Sequence, residues 1–108
     1  MLKKQNRLSR ISKTSKGSIY SSPFFNIKIY EGEGEAVRFG FVVSKKISTK
    51  AVVRNKTKRA LRDAAEKFIL KINSKKDIII YSKKEIDFKQ KEDVLESMAD
   101  IFKKAKII

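Results

Sequence analysis

Residues 44–62 read S-K-K-I-S-T-K-A-V-V-R-N-K-T-K-R-A-L-R and hold eight Lys or Arg, with no carboxylate before Asp63. From about Ser48 the residue types suit a helix. At 100° per residue Arg54, Lys58 and Arg62 track along one face, with Asn55 and Arg59 beside them. Val53, Ala60, Leu61, Ala64 and Phe68 fall on the other side as an apolar stripe. One helix therefore combines a packing face with a face suited to phosphates. Ser48 or Thr49 can cap its start, and the pattern runs to about Ile72, where N-S-K-K (73–76) ends it.

Working outward, residues 36–43 read as a strand, with Phe39, Phe41 and Val43 alternating against Arg38, Gly40 and Val42. A mid-strand Gly40 marks a bulge or a close backbone approach. Residues 18–30 read as one earlier strand entered through Ser-Ser-Pro, because Pro23 costs no ladder bond at a strand's start. Its alternation turns Phe25, Ile27 and Ile29 to the core. Phe24, Asn26, Lys28 and Tyr30 form a polar and aromatic face able to meet a ligand. Between the strands, E-G-E-G-E (31–35) reads as a hairpin turn. Its three carboxylates raise a metal site, but nothing else in the segment completes a coordination shell, so a solvated tip is preferred. Ser44 beside Lys45 raises a catalytic pair; adjacent residues point apart on an extended chain, which favours a turn that contacts phosphate.

Beyond the helix, D-I-I-I-Y (77–81) is a continuous apolar run typical of a strand covered on both faces. A polar loop follows, and Asp87 opens a last helix with Gln90 as its capping partner. Val94, Leu95, Met98, Ala99, Ile101, Phe102 and Ala105 recur at helical spacing as its packing stripe. Residues 1–17 are a basic arm, extended or disordered, with room for a short helical turn near residues 7–12. The order arm, β, β, α, β, α gives a single α+β domain over residues 1–108. Its sheet of three strands, or slightly more, is packed on one side by helices. The strand–helix–strand unit makes its two strands parallel if they share the sheet.

Composition narrows the function. A net charge of +15 on 108 residues favours a polyanionic partner, nucleic acid before an anionic membrane surface. No apolar run approaches the roughly 20 residues that span a bilayer, and the basic N-terminus leads into no secretory core. A cytoplasmic protein is expected. With no Cys and no His the chain has no thiolate nucleophile or thiolate metal site, has no imidazole base, and lacks the commonest metal ligand.

The strand end Val42-Val43-Ser44-Lys45-Lys46 and the run from Ala51 through Arg54-Asn55-Lys56-Thr57-Lys58-Arg59 to Arg62 resemble the protein component of bacterial ribonuclease P. That family carries a strand ending in S-K-K and a helix patterned R-N-R-x-K-R-x-x-R. The resemblance extends from about Ser18 through the last helix and is firmest over residues 39–62. It implies an αββαβα fold with a left-handed β-α-β crossover, an exception to the usual hand. It also implies that an RNA subunit hydrolyses the phosphodiester with Mg²⁺, held by RNA and substrate, and so removes the 5′ leader of precursor tRNA. The protein binds that RNA and holds the leader in a cleft beside the sheet, and no protein partner is required.

Arg54, Asn55, Lys58, Arg59 and Arg62 match the motif, Lys45 and Lys46 match the basic pair before it, and Lys50 extends the set. Lys56 stands where the family usually has Arg; it keeps the charge but loses the planar fork. Family members usually carry a first helix with two Phe that line the leader cleft, and residues 8–17 contain no aromatic. Tyr20, Phe24, Asn26, Lys28 and Tyr30 are the candidates to take over that contact, since an aromatic face accepts any base. Two other readings compete. A generic basic RNA chaperone or ribosome-associated protein fits the composition equally but not the motif spacing. A self-sufficient protein nuclease finds no His here and only one clustered carboxylate set, in a turn.

Overall fold

The computed structural model describes residues 4–8, 17–32, 36–72 and 75–108. Among these the order is a 3₁₀ turn at Lys4–Asn6, strands β1 (Ser18–Ser21), β2 (Phe25–Glu31) and β3 (Arg38–Val42), then helix α1 (Ala51–Glu66). Strand β4 (Lys76–Ser82), a 3₁₀ turn at Phe88–Gln90 and helix α2 (Lys91–Lys104) complete it. The sheet has four strands in the order β1-β2-β4-β3. β2 is antiparallel to both neighbours, and β3 and β4 run parallel on either side of α1, as the strand–helix–strand pattern requires.

Two expectations about the sheet are corrected. Residues 18–30 are not one strand but a hairpin. The Ser22 hydroxyl accepts the N–H groups of Phe24 and Phe25 at 3.2 and 3.1 Å, and the Ser22 N–H donates to the Phe25 carbonyl at 2.9 Å. Pro23, with no N–H to give a ladder, sits in that turn rather than at a strand's start. Secondly, β2 and β3 do not pair across residues 31–35, because β4 lies between them. The interior position gives β4 a ladder partner at each edge, and Ile78, Ile79 and Ile80 are all buried, as an apolar run covered on both faces should be. Of the acidic tract, Glu31 accepts an ion pair from Lys76 and Gly32 donates its N–H to the Lys75 carbonyl at 2.9 Å, while residues 33–35 lie outside the described residues. Pairing of β3 with β4 runs unbroken through Gly40 opposite Ile79, so no bulge interrupts that ladder.

The core lies between one sheet face and the two helices. Phe25, Ile27, Ile29, Phe39, Ile78 and Ile80 meet Leu61, Ala64, Ala65 and Phe68 of the α1 segment and Val94, Met98, Ile101 and Phe102 of α2. Phe102 is the hinge of this packing, with its ring 5.3 Å from Phe68 edge-on and 6.3 Å from Phe39. The expected α1 stripe is right at Leu61, Ala64 and Phe68 and needs one amendment. Val53 is half-exposed, and Thr57 is fully buried in the next turn. Its hydroxyl accepts the Ile86 N–H at 3.2 Å, so a polar residue enters the core already satisfied.

Helix α1 is shorter than the pattern suggested. It starts after Lys50, whose side chain makes no cap bond, so neither Ser48 nor Thr49 is the cap. Ser48 instead braces the approach, its hydroxyl accepting the Lys50 N–H at 3.2 Å. After Glu66 the chain tightens into turns, with Phe68 donating to Ala65 and Ile72 to Phe68. These carry Phe68 and Ile72 into the core without a regular helix. At α2 the expected capping chemistry is present one turn early, on the 3₁₀ segment: the Asp87 N–H donates to Gln90 Oε1 at 2.8 Å, and Asp87 Oδ1 accepts from Lys89 N–H at 2.9 Å.

The arm is tied to the outer edge of the sheet. A helical turn at 7–12 is not found at Arg7 and Leu8, and residues 9–16 lie outside the described residues. Arg7 forms a parallel bridge with Phe39, the Leu8 N–H donates to the Phe39 carbonyl at 2.8 Å, and the buried Asn6 amide donates to the Val37 carbonyl at 2.8 Å. The free edge of β3 thus finds backbone partners. Across the β3–β4 pair, Arg38 grips the fully buried Asp77 through two bonds of 2.8 and 2.7 Å.

Candidate nucleic-acid interface

With Thr57, Leu61, Ala64 and Ala65 turned into the core, α1 can only present its remaining faces outward. Asn55, Lys56 and Arg59 are exposed, and Arg54, Lys58 and Arg62 flank them half-buried, their stems covering apolar surface. Lys45, Lys46 and Lys50 are exposed in the turn before the helix. Among the described residues none of these eight cations pairs with a carboxylate. The contrast is with Arg38 and Lys76, which are both neutralised. Arg54 is tethered, its Nη1 donating to the Ser48 carbonyl at 3.0 Å, which fixes the entry loop against the helix. The stripe is therefore a field of unneutralised positive charge on a rigid rod.

The sheet adds a basic pair that the sequence reading passed over. β3 and β4 are parallel neighbours, and Val42 pairs with Tyr81. The chain leaves both strands through the same tripeptide, Ser44-Lys45-Lys46 and Ser82-Lys83-Lys84. The two S-K-K segments therefore emerge at one end of the sheet, about 4.8 Å apart at the strand ends. Lys83 Nζ donates to Ser21 Oγ at 2.6 Å, and Lys84 Nζ lies 4.5 Å from the Phe24 ring centre. The repeated tripeptide was the available signal; only the parallel pairing shows that its two copies leave the same end of the sheet.

The five candidates for a leader contact divide between faces. Asn26 and Lys28 lie on the sheet face away from the helices, and there they meet Tyr81, which the sequence reading had not singled out. Asn26 is opposite Tyr81 in register, and Lys28 Nζ sits 5.1 Å from its ring centre. Tyr30 shares the parity of that face but is buried, with Gly17 so close that an added Cβ would lie 2.7 Å from its ring. Tyr20 is opposite Ile27 and so points to the core side, against which both it and Phe24 pack. The hairpin at Pro23 causes this. It breaks the single alternation in which Phe24 had shared a face with Asn26.

Comparison with known proteins decides the family. The ribonuclease P family model matches residues 1–106. The chain belongs to the ribonuclease P protein family. It is 42% identical over 94 residues to the ribonuclease P protein component of Fusobacterium nucleatum, covering 82% of this chain and 79% of that one. To the ribonuclease P protein component of a Pseudanabaena species it is 30% identical over 113 residues, covering 100% and 97%. The solved Staphylococcus aureus ribonuclease P protein superposes with a TM-score of 0.69 at 29% identity, over 84% of this chain and 83% of that one. The Thermotoga maritima ribonuclease P protein shares the fold, with a TM-score of 0.66 at 24% identity over 82% and 83%. Family membership makes this chain the protein part of an RNA-based endonuclease of tRNA 5′ processing, in which catalysis is attributed to the RNA. A generic RNA chaperone and a self-sufficient nuclease are set aside by the same match. No helix of the described residues is long and apolar enough to cross a membrane.

Proposed function

We propose that the cation stripe of Lys45, Lys46, Lys50, Arg54, Asn55, Lys56, Lys58, Arg59 and Arg62 seats the protein on its RNA subunit and on precursor tRNA. The observation that supports this is the absence of carboxylate partners for those cations among the described residues, in a chain that neutralises cations elsewhere. Two polyanions brought together repel, and a rigid positive face between them lowers that cost while releasing condensed counterions. Asn55 supplies a neutral donor and acceptor within the stripe.

The 5′ leader lies against the sheet face of Asn26, Lys28 and Tyr81, with Lys83 and Lys84 at its end. Tyr81 offers a ring for stacking and Lys28 a charge for the backbone. Mg²⁺ acts in hydrolysis while held by the RNA and the substrate; among the described residues no group of His, Cys, Asp or Glu converges as a metal site. The protein's share is positioning and charge screening, in the cytoplasm where both RNAs are made. The test is reconstitution. With a catalytic RNA subunit, the protein should raise cleavage of leader from precursor tRNA at low Mg²⁺, and high Mg²⁺ should shrink the gain. A basic protein without the motif, or no gain at any Mg²⁺ level, marks the alternative outcomes, the second of which overturns the reading.

A further inference from the structure

A slot opens between the arm and α1, at the outer edge of β3, on the helix-bearing side of the sheet. Its volume is about 210 Å³, and Arg7, Leu8, Phe39, Gly40, Phe41, Lys58 and Arg62 line it. Phe41 pairs with Ile80 in register, so its ring stands on the core face, opposite to the face of Asn26, Lys28 and Tyr81. The ring is only half-buried because α1 meets the sheet edge there with long cationic side chains rather than apolar ones. The Arg62 guanidinium carbon lies 6.0 Å from the Phe41 ring centre, and the Phe39 ring centre lies 6.3 Å from it, the two rings nearly parallel at 14°.

We infer that this slot takes one unstacked base of a single-stranded RNA, held between Phe41 and Arg62, with the adjoining phosphate met by Lys58. The inference rests on the RNA-binding reading above and adds a site to it. The spacing carries the argument. A base sandwiched between two planes needs two contact gaps of about 3.5 Å, or about 7 Å in all, and Phe41 and Arg62 stand 6.0 Å apart. A shift of about 1 Å in a long Arg side chain opens that sandwich, which is within ordinary rotamer adjustment. A guanidinium plane stacks on a base as an aromatic ring does. The volume is below the roughly 300 Å³ at which drug-sized ligand pockets begin, so the slot suits one planar base and not an extended ligand. Cations on two elements, Arg7 on the arm and Lys58 and Arg62 on α1, frame its mouth.

The test uses the full chain and single-stranded RNA oligonucleotides carrying 2-aminopurine at successive positions, with binding followed by anisotropy and stacking by fluorescence quenching. Phe41→Leu conserves most of the core volume and removes the aromatic plane; Phe41→Trp restores one. Wild type should quench 2-aminopurine at a defined position. Phe41→Leu should lose that quenching and weaken binding about 5- to 150-fold, the loss that truncating a stacking ring brings, with the salt slope unchanged. Phe41→Trp should recover both. If Phe41→Leu quenches and binds as wild type while Arg59→Gln weakens binding, the slot is wrong and the RNA interface stands. A fall in salt slope of about one with Phe41→Leu would mean a displaced phosphate contact, which overturns base stacking. If wild type binds no RNA, both inferences fall.

Discussion

Replacing Lys56 and Arg59 together by Gln gives the sharpest test of the α1 interface. Both are exposed and unpaired among the described residues, so their loss removes charge without disturbing the core. If Arg54, Lys56, Lys58, Arg59 and Arg62 each meet a phosphate, log affinity for the RNA subunit falls with log salt at a slope of about −4.5. From 50 to 200 mM salt that is a loss of about 2.7 decades. The double variant keeps three contacts, a slope of about −2.7 and a loss of about 1.6 decades. The two proteins should thus differ most at low salt and approach each other by about one decade over that range. Lys76→Gln is the control, since Lys76 is already paired with Glu31 and lies on β4, not α1. Filter binding or anisotropy against the RNA subunit across a salt series reads all three slopes. A control that flattens the slope as much as the double variant would show that only total charge matters. An unchanged slope in the double variant would remove Lys56 and Arg59 from the interface.

Further outcomes concern the fold that holds the interface in place. Phe102→Ala, at a fully buried ring touching Phe39 and Phe68, should cost about 3–5 kcal/mol, seen as a lower urea midpoint at unchanged slope. Arg38→Leu should cost about 3 kcal/mol, the low end for breaking a buried pair because Arg38 keeps 26% exposure. The double variant Arg38→Leu, Asp77→Leu should recover much of that loss in the same denaturation assay; no recovery would refute the pairing as its cause. Thr57→Val keeps the shape and deprives the Ile86 N–H of its acceptor, for a loss of about 1–3 kcal/mol in thermal unfolding. Gly32→Ala would set a Cβ 2.7 Å from the Lys75 carbonyl oxygen, so the melting temperature should fall and amide exchange near β4 should quicken.

The parts of this fold legible in the sequence are those where one periodicity acts alone. The α1 and α2 stripes, the buried 78–80 run and the parallel β3–β4 relation all follow from local pattern. Residues 18–30 misled because Ser22-Pro23-Phe24 fits either a strand entry or a turn, and the choice is made by the Ser22 hydroxyl accepting the N–H groups of Phe24 and Phe25. The neighbours of β4 were illegible for a different reason. Strand order depends on which sheet edge most needs cover, and that is a property of the assembled sheet. The cation stripe was readable because charge and helical period coincide there. Tyr81, Lys83 and Lys84 were not, because their meaning comes from register with β2 and β3. Thr57 was passed over as polar, and its burial depends on an amide 29 residues away.

The Arg38–Asp77 clasp has a consequence for how the chain finds this sheet. Parallel strands joined through a helix have no tight turn to set their alignment, so the ladder could settle at several offsets. Sliding β3 by two residues would bring Arg38 opposite Ile79 and carry the guanidinium away from a carboxylate that has no route to water. A misaligned ladder would therefore take from the fully buried Asp77 carboxylate the two guanidinium bonds it has here, and the native alignment avoids that loss. A protein built to handle RNA thus uses a buried acid as the ruler by which its two parallel strands are measured against each other.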